Sequence, residues 1–199
     1  IAELTDVKPA VPHNVSNALA AAGLARTVGV SHEAIRTAIT EFAPGRHRIE
    51  TVLVQEGITW INDSKATNPH AASAAIMSAL SVIWIAGGLA KGAQMGELVE
   101  RIKSRVRVAI LIGEDRELIA KELSEHAPAI EILRIDTPSQ YSKGGDNNSL
   151  METVIRAAKE RAISGDTVLL APACASMDQF DSYSQRGQLF AQAVKEELL

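Results

Sequence analysis

Short apolar runs alternate with segments of helical periodicity along most of the chain after residue 48. A continuous apolar run such as Val106–Ile112 is typical of a buried strand, and apolar positions three or four apart are typical of an amphipathic helix. The pattern predicts strands at Ile49–Val54, Ile58–Ile61, Val82–Ala86, Val106–Ile112, Glu131–Ile135 and Thr167–Ala171, and helices at Pro69–Leu80, Gly96–Ser104, Arg116–His126, Leu150–Ala162 and Ser184–Leu198.

This alternation predicts an α/β fold. Strands that alternate with helices form a doubly wound, mostly parallel, Rossmann-like sheet with helices on both faces. The first two strands are separated only by the turn Gln55-Glu56-Gly57, which predicts a β-hairpin at the amino-terminal side of the sheet. The polar loop Tyr141–Ser149 is the one segment whose composition indicates flexibility, and it offers no candidate chemistry.

The residues before the sheet have a different pattern. Ala and Leu recur at helical spacing in Asn14–Val28, and Ser31 is a good cap for a second helix at His32–Phe42. Two such helices have no core of their own, so we expect them to pack on something else. Ala43-Pro44-Gly45 is the best candidate for a boundary, and it divides the chain into residues 1–45 and residues 46–199.

Composition limits the partners. The chain has 199 residues and is 46% hydrophobic, enough for one large domain or a domain plus a fragment. A net charge of -4 without a basic cluster argues against nucleic acid. No apolar run is long enough for membrane insertion. The single cysteine suits a cytoplasmic protein. The start at Ile1, without a Met or a signal-peptide pattern, indicates a fragment of a longer protein.

Ligands of an open parallel sheet bind beyond the carboxyl ends of its strands. Three of the predicted strand ends are polar or rich in small residues, which exceeds what a purely structural domain needs. The five ends are Asn62-Asp63-Ser64-Lys65, Gly87-Gly88-Leu89-Ala90-Lys91-Gly92, Gly113-Glu114-Asp115, Asp136-Thr137 and Pro172-Ala173-Cys174-Ala175-Ser176.

The first of these ends runs into a helix, because Asn68 is a strong N-cap and Pro69 suits the first helical position. A strand end next to a helix start favours an anionic ligand. Asp63 could bind a hydroxyl or a metal ion, and Lys65 could bind a carboxylate or a phosphate.

The other candidates have two interpretations each. The Gly-rich loop with Lys91 could present N–H groups and an ammonium to an anion, or could be a flexible loop. Cys174 could be a nucleophile, but without a nearby base a packing role is favoured. Ser176 fits no catalytic triad and better suits binding of a ligand carboxylate. Arg48 could reach a phosphate, or His47 and Arg48 could form a hinge ion pair. The histidine spacing predicts no metal site.

Several motifs together resemble the Mur ligases, the ATP-dependent enzymes that add amino acids in peptidoglycan synthesis. Three motifs occur in an order similar to that seen in the family: residues 13–21 (HNVSNALAA), 44–50 (PGRHRIE) and 62–68 (NDSKATN). Four motifs resemble the branch of the family that adds D-glutamate. They are the form of residues 63–68, the Gly-rich loop, residues 172–180 (PACASMDQF) and residues 185–187 (QRG). The resemblance runs from about His13 to the carboxyl end.

The resemblance implies a domain assignment. Mur ligases have an amino-terminal UDP-binding domain, a central ATPase domain and a carboxyl-terminal α/β domain. Residues 1–45 match the end of the central domain, as a helical remnant, and residues 46–199 match the carboxyl-terminal domain. The P-loop, GxxxxGK followed by Ser or Thr, is absent from the chain, as are most Mg²⁺ ligands and the uracil site. We therefore expect no ligase activity from this chain alone.

The resemblance also implies ligands. The cofactors would be ATP and Mg²⁺, and the partners D-glutamate, UDP-N-acetylmuramoyl-L-alanine and the missing amino-terminal and central domains. Asn14 and Asn17 match positions that contact adenine, Arg48 a phosphate contact and Asp63 a position near the ribose. Lys65 would also be catalytic, and no metal ligand is implied. The D-glutamate site would consist of Lys65, Thr67, Lys91, Ser176, Met177 and Tyr183.

Three alternatives remain open. The chain could belong to a related Mur or folylpolyglutamate-type ligase that adds another amino acid. It could be a non-catalytic ligand-binding module, or an α/β domain with only a structural role. A panel of amino acids in an amide-forming assay separates the first from D-glutamate addition, and a P-loop in the upstream coding sequence separates a ligase from a module.

Overall fold

A computed structural model describes residues 1–135 and 147–199 of the chain. The chain divides into two compact units, Ile1–Arg46 and His47–Leu199. The strand end Asp136-Thr137 and residues 141–146 of the loop predicted to be flexible lie outside the described residues. None of the helices within the described ranges is long and apolar enough to cross a membrane.

The smaller unit is helical. A short 3-10 turn, Leu4–Asp6, precedes helices α1 (Pro12–Thr27) and α2 (His32–Glu41). The Ser31 side chain caps α2 by accepting a hydrogen bond from Ala34 N at 3.2 Å. Within residues 1–46, all of which are described, the buried apolar side chains are Ala22 and Ile35. The unit therefore has little core, and its exposed large apolar side chains include Leu19, Leu24, Val28 and Phe42.

The larger unit contains the predicted alternation of strands and helices. Its described strands are β1 (Glu50–Gln55), β2 (Ile58–Asn62), β3 (Val82–Gly87), β4 (Val106–Ile112), β5 (Glu131–Arg134) and β6 (Thr167–Leu170), and its described helices are α3 (Pro69–Ile76), α4 (Gly96–Ile102), α5 (Arg116–His126), α6 (Asn147–Lys159) and α7 (Tyr183–Leu198).

Several helix boundaries differ from the prediction, and the largest differences lie at the end of α3 and at both ends of α6. Helix α3 ends at Ile76 rather than Leu80, because Ser78 N and Ala79 N turn back to Ala75 O and Ile76 O. Helix α6 begins three residues earlier than predicted, at Asn147, so the last part of the predicted loop is helical. Local periodicity predicts where a helix or strand lies more accurately than it predicts the residues at which that element begins and ends.

The strands form one sheet in the order β1-β2-β6-β3-β4-β5. Strands β1 and β2 are antiparallel, and every other neighbouring pair is parallel. This confirms both the hairpin and the mostly parallel, doubly wound sheet predicted from the sequence.

The sheet has an apolar layer on each face. Side chains alternate along β3, so Val82, Trp84 and Ala86 belong to one layer and Ile83 and Ile85 to the other. The first layer contains residues of α3, α4 and α5. The second contains residues of α6 and α7. Helices thus cover both faces, as predicted.

The position of β6 creates a switch point. The chain leaves β2 and β3 toward the face that carries α3 and α4, whereas it leaves β6 toward the opposite face, which carries α7. Strand β6 lies between β2 and β3. Connections that diverge from neighbouring strands leave a crevice at the carboxyl ends of those strands, where ligands bind in such sheets.

Candidate functional site at the carboxyl rim

Loops that follow neighbouring strands meet at this crevice. We call residues 62–68, 87–95, 113–115 and 171–183 the carboxyl rim. Asp63 N donates to Leu170 O at 2.8 Å, and Ala173 N donates to Ala66 O at 2.9 Å. Leu89 and Ala175 exchange two main-chain hydrogen bonds, both of 2.9 Å. Main-chain bonds therefore hold the loops after β2, β3 and β6 together.

The loop after β2 has a fixed course. Asn68 caps α3, because its Oδ1 accepts from Ala71 N at 2.9 Å, and Pro69 occupies the first turn, as the sequence predicts. At the other end of the loop, Asn62 is fully buried. Its Nδ2 donates to Gly187 O at 3.0 Å and its Oδ1 accepts from Ser64 N at 3.2 Å. Both ends of the loop are thus anchored by asparagine side chains.

Arg186 on α7 connects two of the loops from inside the molecule. Its side chain is fully buried. Its Nε donates to Ser64 Oγ and its Nη2 to Ser64 O, each at 3.0 Å. Its Nη1 and Nη2 donate to Cys174 O at 3.3 Å. Ser64 Oγ in turn donates to Tyr183 O at 2.7 Å.

The charge of Arg186 is unusual for its position. Burial lowers its pKa to about 10, so the guanidinium still carries its proton at neutral pH. Its acceptors among the described residues are the neutral oxygens of Ser64 and Cys174, and the Asp178 charge opposes the lowering of its pKa. The sequence analysis assigned Arg186 no role, although its place in residues 185–187 of the family resemblance was the signal that could have identified it.

Six side chains that the sequence assigned to amino-acid binding lie on the carboxyl rim. Lys65 Nζ lies 3.9 Å from the centroid of the Tyr183 ring, within the range of a cation–π interaction. Ser176 is buried, whereas Met177 is 51% exposed and Tyr183 36% exposed. The set is carried by the loop after β2 (Lys65, Thr67), the loop after β3 (Lys91), the loop after β6 (Ser176, Met177) and the first residue of α7 (Tyr183).

The loop after β3 requires its glycines. Gly87 and Gly88 have φ angles of 115° and 125°, in the region that favours glycine. A Cβ atom on Gly88 would lie 2.1 Å from Ala175 O. Lys91 also has a positive φ, 52°, and its side chain is exposed. The Gly-rich loop therefore has a defined course against its neighbours and presents Lys91 to solvent.

Asp63 is a buried acid with few partners. It is 8% exposed, and its Oδ1 accepts a hydrogen bond from Ile49 N at 3.3 Å. Burial raises the pKa of Asp63 to about 6, against the opposing effects of that hydrogen bond and of the nearby Arg48 charge. Asp63 therefore changes charge close to neutral pH. Arg48 itself is exposed.

Cys174 is not a candidate nucleophile. Its side chain is fully buried, and burial raises the pKa of the thiol to about 12. A thiol with such a pKa carries almost no thiolate at neutral pH, and the thiolate is the reactive form. The packing interpretation of Cys174 is therefore favoured, while its carbonyl oxygen serves Arg186.

His47 belongs to a buried junction that the sequence did not predict. Asn62 Nδ2 lies 2.9 Å from His47 Nδ1, and His47 N donates to Glu50 Oε2 at 2.9 Å. A Cβ atom on Gly187 would lie 2.4 Å from His47 Nδ1, so only glycine fits there. Glu50 Oε2 also lies 3.7 Å from His47 Nδ1. Whether His47 and Arg48 form a hinge ion pair or Arg48 reaches a phosphate stays a prediction.

Asn14 and Asn17 lie in the smaller unit, on α1. They are three residues apart and therefore share one side of that helix. Asn14 Nδ2 donates to Pro9 O at 3.2 Å, and Asn17 is exposed. Their assignment to adenine binding stays a prediction.

In the parts of the chain that the structure describes, no group of three or more His, Cys, Asp or Glu side chains could hold a metal ion.

Comparison with known proteins gives a family match. Residues 47–174 match the family described as Mur ligase, glutamate ligase domain. The chain is 50% identical over 196 residues to the UDP-N-acetylmuramoylalanine--D-glutamate ligase of Streptomyces coelicolor, covering 98% of this chain and 40% of that protein. It is 43% identical over 217 residues to the enzyme of the same name from Mycolicibacterium smegmatis, covering 98% of this chain and 44% of that protein.

Solved structures show the same fold at low identity. A pseudomurein peptide ligase type C from Methanothermus fervidus matches with a TM-score of 0.64 and 16% identity, over 94% of this chain and 36% of that one. MurF from Acinetobacter baumannii matches with a TM-score of 0.59 and 17% identity, over 92% of this chain and 37% of that one. The chain thus spans about two fifths of the proteins that it matches.

Proposed function

The chain belongs to the Mur ligase family through its glutamate ligase domain, and from this membership we propose that it is the carboxyl-terminal part of an ATP-dependent ligase. That enzyme adds D-glutamate to UDP-N-acetylmuramoyl-L-alanine in peptidoglycan synthesis in the cytoplasm. The similarity to curated D-glutamate ligases over 98% of this chain supports the choice of amino acid.

The observation that carries the proposal is the meeting of two lysine-bearing loops at the switch point. Lys65 follows β2, Lys91 follows β3, and β6 lies between these strands. Free D-glutamate has two carboxylates, and each would be bound by one ammonium group through charge-assisted hydrogen bonds. Thr67 and Ser176 would supply hydroxyl or main-chain donors, while Met177 and Tyr183 would flank the carbon chain.

The rim residues act by positioning and by neutralising charge. In the reaction, an oxygen of the acceptor carboxylate attacks the γ-phosphorus of ATP, which forms an acyl phosphate and releases ADP. The amine of D-glutamate then attacks the acyl carbon, and phosphate leaves as the amide forms. Lys65 is the catalytic candidate, because its ammonium near this centre offsets negative charge as the tetrahedral intermediate develops. The other rim residues hold the amine at attack distance.

Nucleotide contacts are proposed for four residues. In the larger unit, the exposed Arg48 guanidinium suits a phosphate and the Asp63 carboxyl suits a ribose hydroxyl. In the smaller unit, Asn14 and Asn17 carry amide groups of the kind that recognise adenine. We propose that the Mg²⁺ ligands lie mostly outside this chain, as the family resemblance implies.

We also propose that residues 1–45 are the tail of a central ATPase domain and residues 46–199 the Mur ligase carboxyl-terminal domain. The smaller unit buries few apolar side chains and exposes Leu19, Leu24 and Phe42, as expected of helices whose usual packing partner is missing. The chain has no P-loop, so we expect it to be inactive without the rest of the enzyme.

The test uses the full-length parent enzyme with Lys91→Ala. Loss of one charge-assisted contact to a carboxylate costs about 1.5 to 3 kcal/mol, which corresponds to an increase in KM for D-glutamate of about 10- to 100-fold. The KM for ATP should change little. Lys121→Ala is the matched control, because Lys121 is a 68% exposed lysine on α5 whose side chain pairs with Glu125.

A panel of amino acids identifies the substrate. D-glutamate should be the preferred amine donor over L-glutamate, meso-diaminopimelate and lysine in an amide-forming assay. Preference for another amino acid would assign the chain to a different branch of the family. An unchanged KM for every amino acid in Lys91→Ala would contradict the binding site itself.

A further inference from the structure

Asp115 contacts the turn that carries Lys91. Its Oδ2 accepts a hydrogen bond from Ala90 N at 2.8 Å, and its own N donates to Gly88 O at 3.1 Å. Asp115 follows β4, whereas Ala90 and Lys91 follow the neighbouring β3. One aspartate thus holds the main chain of the adjacent loop on both sides of Leu89, up to the residue before Lys91.

The Asp115 carboxylate does not cap the helix that it precedes. Asp115 occupies the N-cap position of α5, where an aspartate oxygen normally accepts a hydrogen bond from the first turn of its own helix. Here the side chain makes no capping bond and reaches Ala90 instead. Asn68 and Ser182, by contrast, cap α3 and α7 with their own side chains. A local rule broken next to a candidate site indicates a functional use of the residue.

The turn is fixed on its other side as well. Leu89 exchanges two main-chain hydrogen bonds with Ala175. A Cβ atom on Gly113 would lie 2.4 Å from Gly88 N, so the loops after β3 and β4 are in close contact. Lys91 is the first residue after these hydrogen bonds. Its φ of 52° lies in the left-handed region, which residues other than glycine rarely adopt. Ala93 N donates to Ala90 O at 3.0 Å, so Lys91 lies in a turn that begins at Ala90, and the hydrogen bond from Ala90 N to Asp115 holds the start of that turn.

Asp178 extends the restraint to the loop after β6. Its Oδ2 accepts from Glu114 N at 2.8 Å, which fixes the residue preceding Asp115. The loops after β6, β4 and β3 are in this way connected through two carboxylates. Each carboxylate binds a main-chain N–H of the next loop, and the last of these N–H groups precedes Lys91.

Resting on the function proposed above, we propose that Asp115 is a positioning residue for Lys91. Its carboxylate sets the turn so that the Lys91 ammonium meets a carboxylate of the incoming D-glutamate. Asp115 does not itself touch the substrate. Removal of the Asp115 carboxylate should therefore have the kinetic effect of a misplaced Lys91 ammonium, not that of a lost catalytic group.

The first test is kinetic and uses the full-length enzyme. Asp115→Ala should raise the KM for D-glutamate about 10- to 100-fold, since a misplacement of about 1 Å has an effect of that order. The kcat and the KM for ATP should change far less. Asp115→Asn keeps an oxygen that accepts from Ala90 N and should restore most of the loss. Glu125→Ala removes an exposed charge from the same helix and serves as the control.

A double variant connects the effect to Lys91. If Asp115 acts through Lys91, adding Asp115→Ala to Lys91→Ala should raise the KM no further. Multiplied effects would overturn the proposal, and so would an unchanged KM in Asp115→Ala beside a raised KM in Lys91→Ala. An unchanged KM in Lys91→Ala would instead overturn the proposed function on which this proposal rests.

Amide hydrogen exchange gives a readout that is independent of activity. The Ala90 amide should exchange slowly in the wild-type enzyme and in Asp115→Asn, and markedly faster in Asp115→Ala, while amides of β3 keep their rates. Equal Ala90 rates in Asp115→Ala and wild type would show that the carboxylate does not hold the turn, and would overturn the proposal whatever the kinetics.

Discussion

Buried polar groups lie at both ends of the parallel strands, but the hydrogen bonding of these groups differs between the two ends. The amino rim, formed by Ser81, Arg107, Ile163 and Asp166, centres on the buried Asp166 carboxylate. Asp166 Oδ1 accepts from Ser81 Oγ at 2.6 Å, and Oδ2 accepts from Arg107 Nη2 at 2.5 Å and from Ile163 N at 3.0 Å. Both carboxylate oxygens therefore have partners.

The carboxyl rim leaves comparable groups with few partners. The Asp63 carboxylate accepts one hydrogen bond among the described residues, from the main-chain N–H of Ile49. Asp178 Oδ1 is buried without a partner in that part of the chain. Arg186, by contrast, makes four hydrogen bonds, and among the described residues their acceptors are neutral oxygens of Ser64 and Cys174.

The pKa values follow the same division. At Asp166, burial alone would raise the pKa, but the hydrogen bonds from Arg107, Ser81 and Ile163 outweigh it and hold the pKa below its usual range. At Asp63, burial dominates and raises the pKa to about 6. Buried polar groups in native proteins are normally paired, so an under-paired rim marks the place where a ligand completes the hydrogen bonding. This difference supports the proposal that the carboxyl rim binds the ligand, whereas the amino rim has a structural role.

Removing Arg186 should have the largest effect on stability. Arg186→Met leaves the oxygens of Ser64 and Cys174 without donors and separates two loops, so we expect the free energy of unfolding to fall by about 3 to 5 kcal/mol. Urea denaturation followed by the fluorescence of the buried Trp60 and Trp84 measures it. Arg101→Met, at an exposed position on α4, should change stability by less than about 0.5 kcal/mol. A loss below about 1 kcal/mol in Arg186→Met would contradict the connecting role.

Asp63→Asn should stabilise the protein at high pH. The folded pKa of about 6 lies above the ordinary 3.8, so the stability contributed by the protonated acid is complete below pH 3.8 and is lost as the pH rises through 6. Asn imitates the protonated acid at every pH. The shift corresponds to at most about 3 kcal/mol, so the variant should gain up to that amount over wild type between pH 4 and pH 8. Urea midpoints across this range measure the gain, and a constant difference would contradict it.

Asp166→Asn should show a smaller effect with the opposite pH dependence. The folded pKa lies below the ordinary value of 3.8, so the stability contributed by the ionised acid is present above pH 3.8 and is lost as the pH falls through the folded pKa. Because Arg107 is 41% exposed, we expect a loss near the low end of the range for charged hydrogen bonds, about 1.5 kcal/mol at pH 7, shrinking in acid. The same series of urea midpoints applies. If both aspartate variants shifted with pH in the same direction, the division between the rims would fail.

Much of the larger unit was predictable from the sequence. Hydrophobic patterns are local: a continuous apolar run identified Val106–Ile112 and the helical period identified Arg116–His126, both to the residue. Asn68 and Pro69 fixed the start of α3 because capping depends on neighbouring residues alone. The rule for parallel sheets then put Lys65, Lys91 and Ser176 on one edge. Family resemblance, rather than physics, assigned their roles.

The rest depended on contacts between distant segments. No local pattern states that β6 inserts between β2 and β3, yet that insertion creates the switch point. Arg186 meets Ser64 across 122 positions of the chain, and Asp115 meets Ala90 across 25. The raised pKa of Asp63 likewise results from burial by surrounding elements.

The sequence by itself determined which segments are strands and helices, and which residues stand at the strand ends, because both follow from short-range periodicity. The tertiary structure alone decided which of those residues are buried, which are paired and which hold one another in place. Hydrogen bonding and desolvation act through space, so they depend on neighbours that the order of residues does not name.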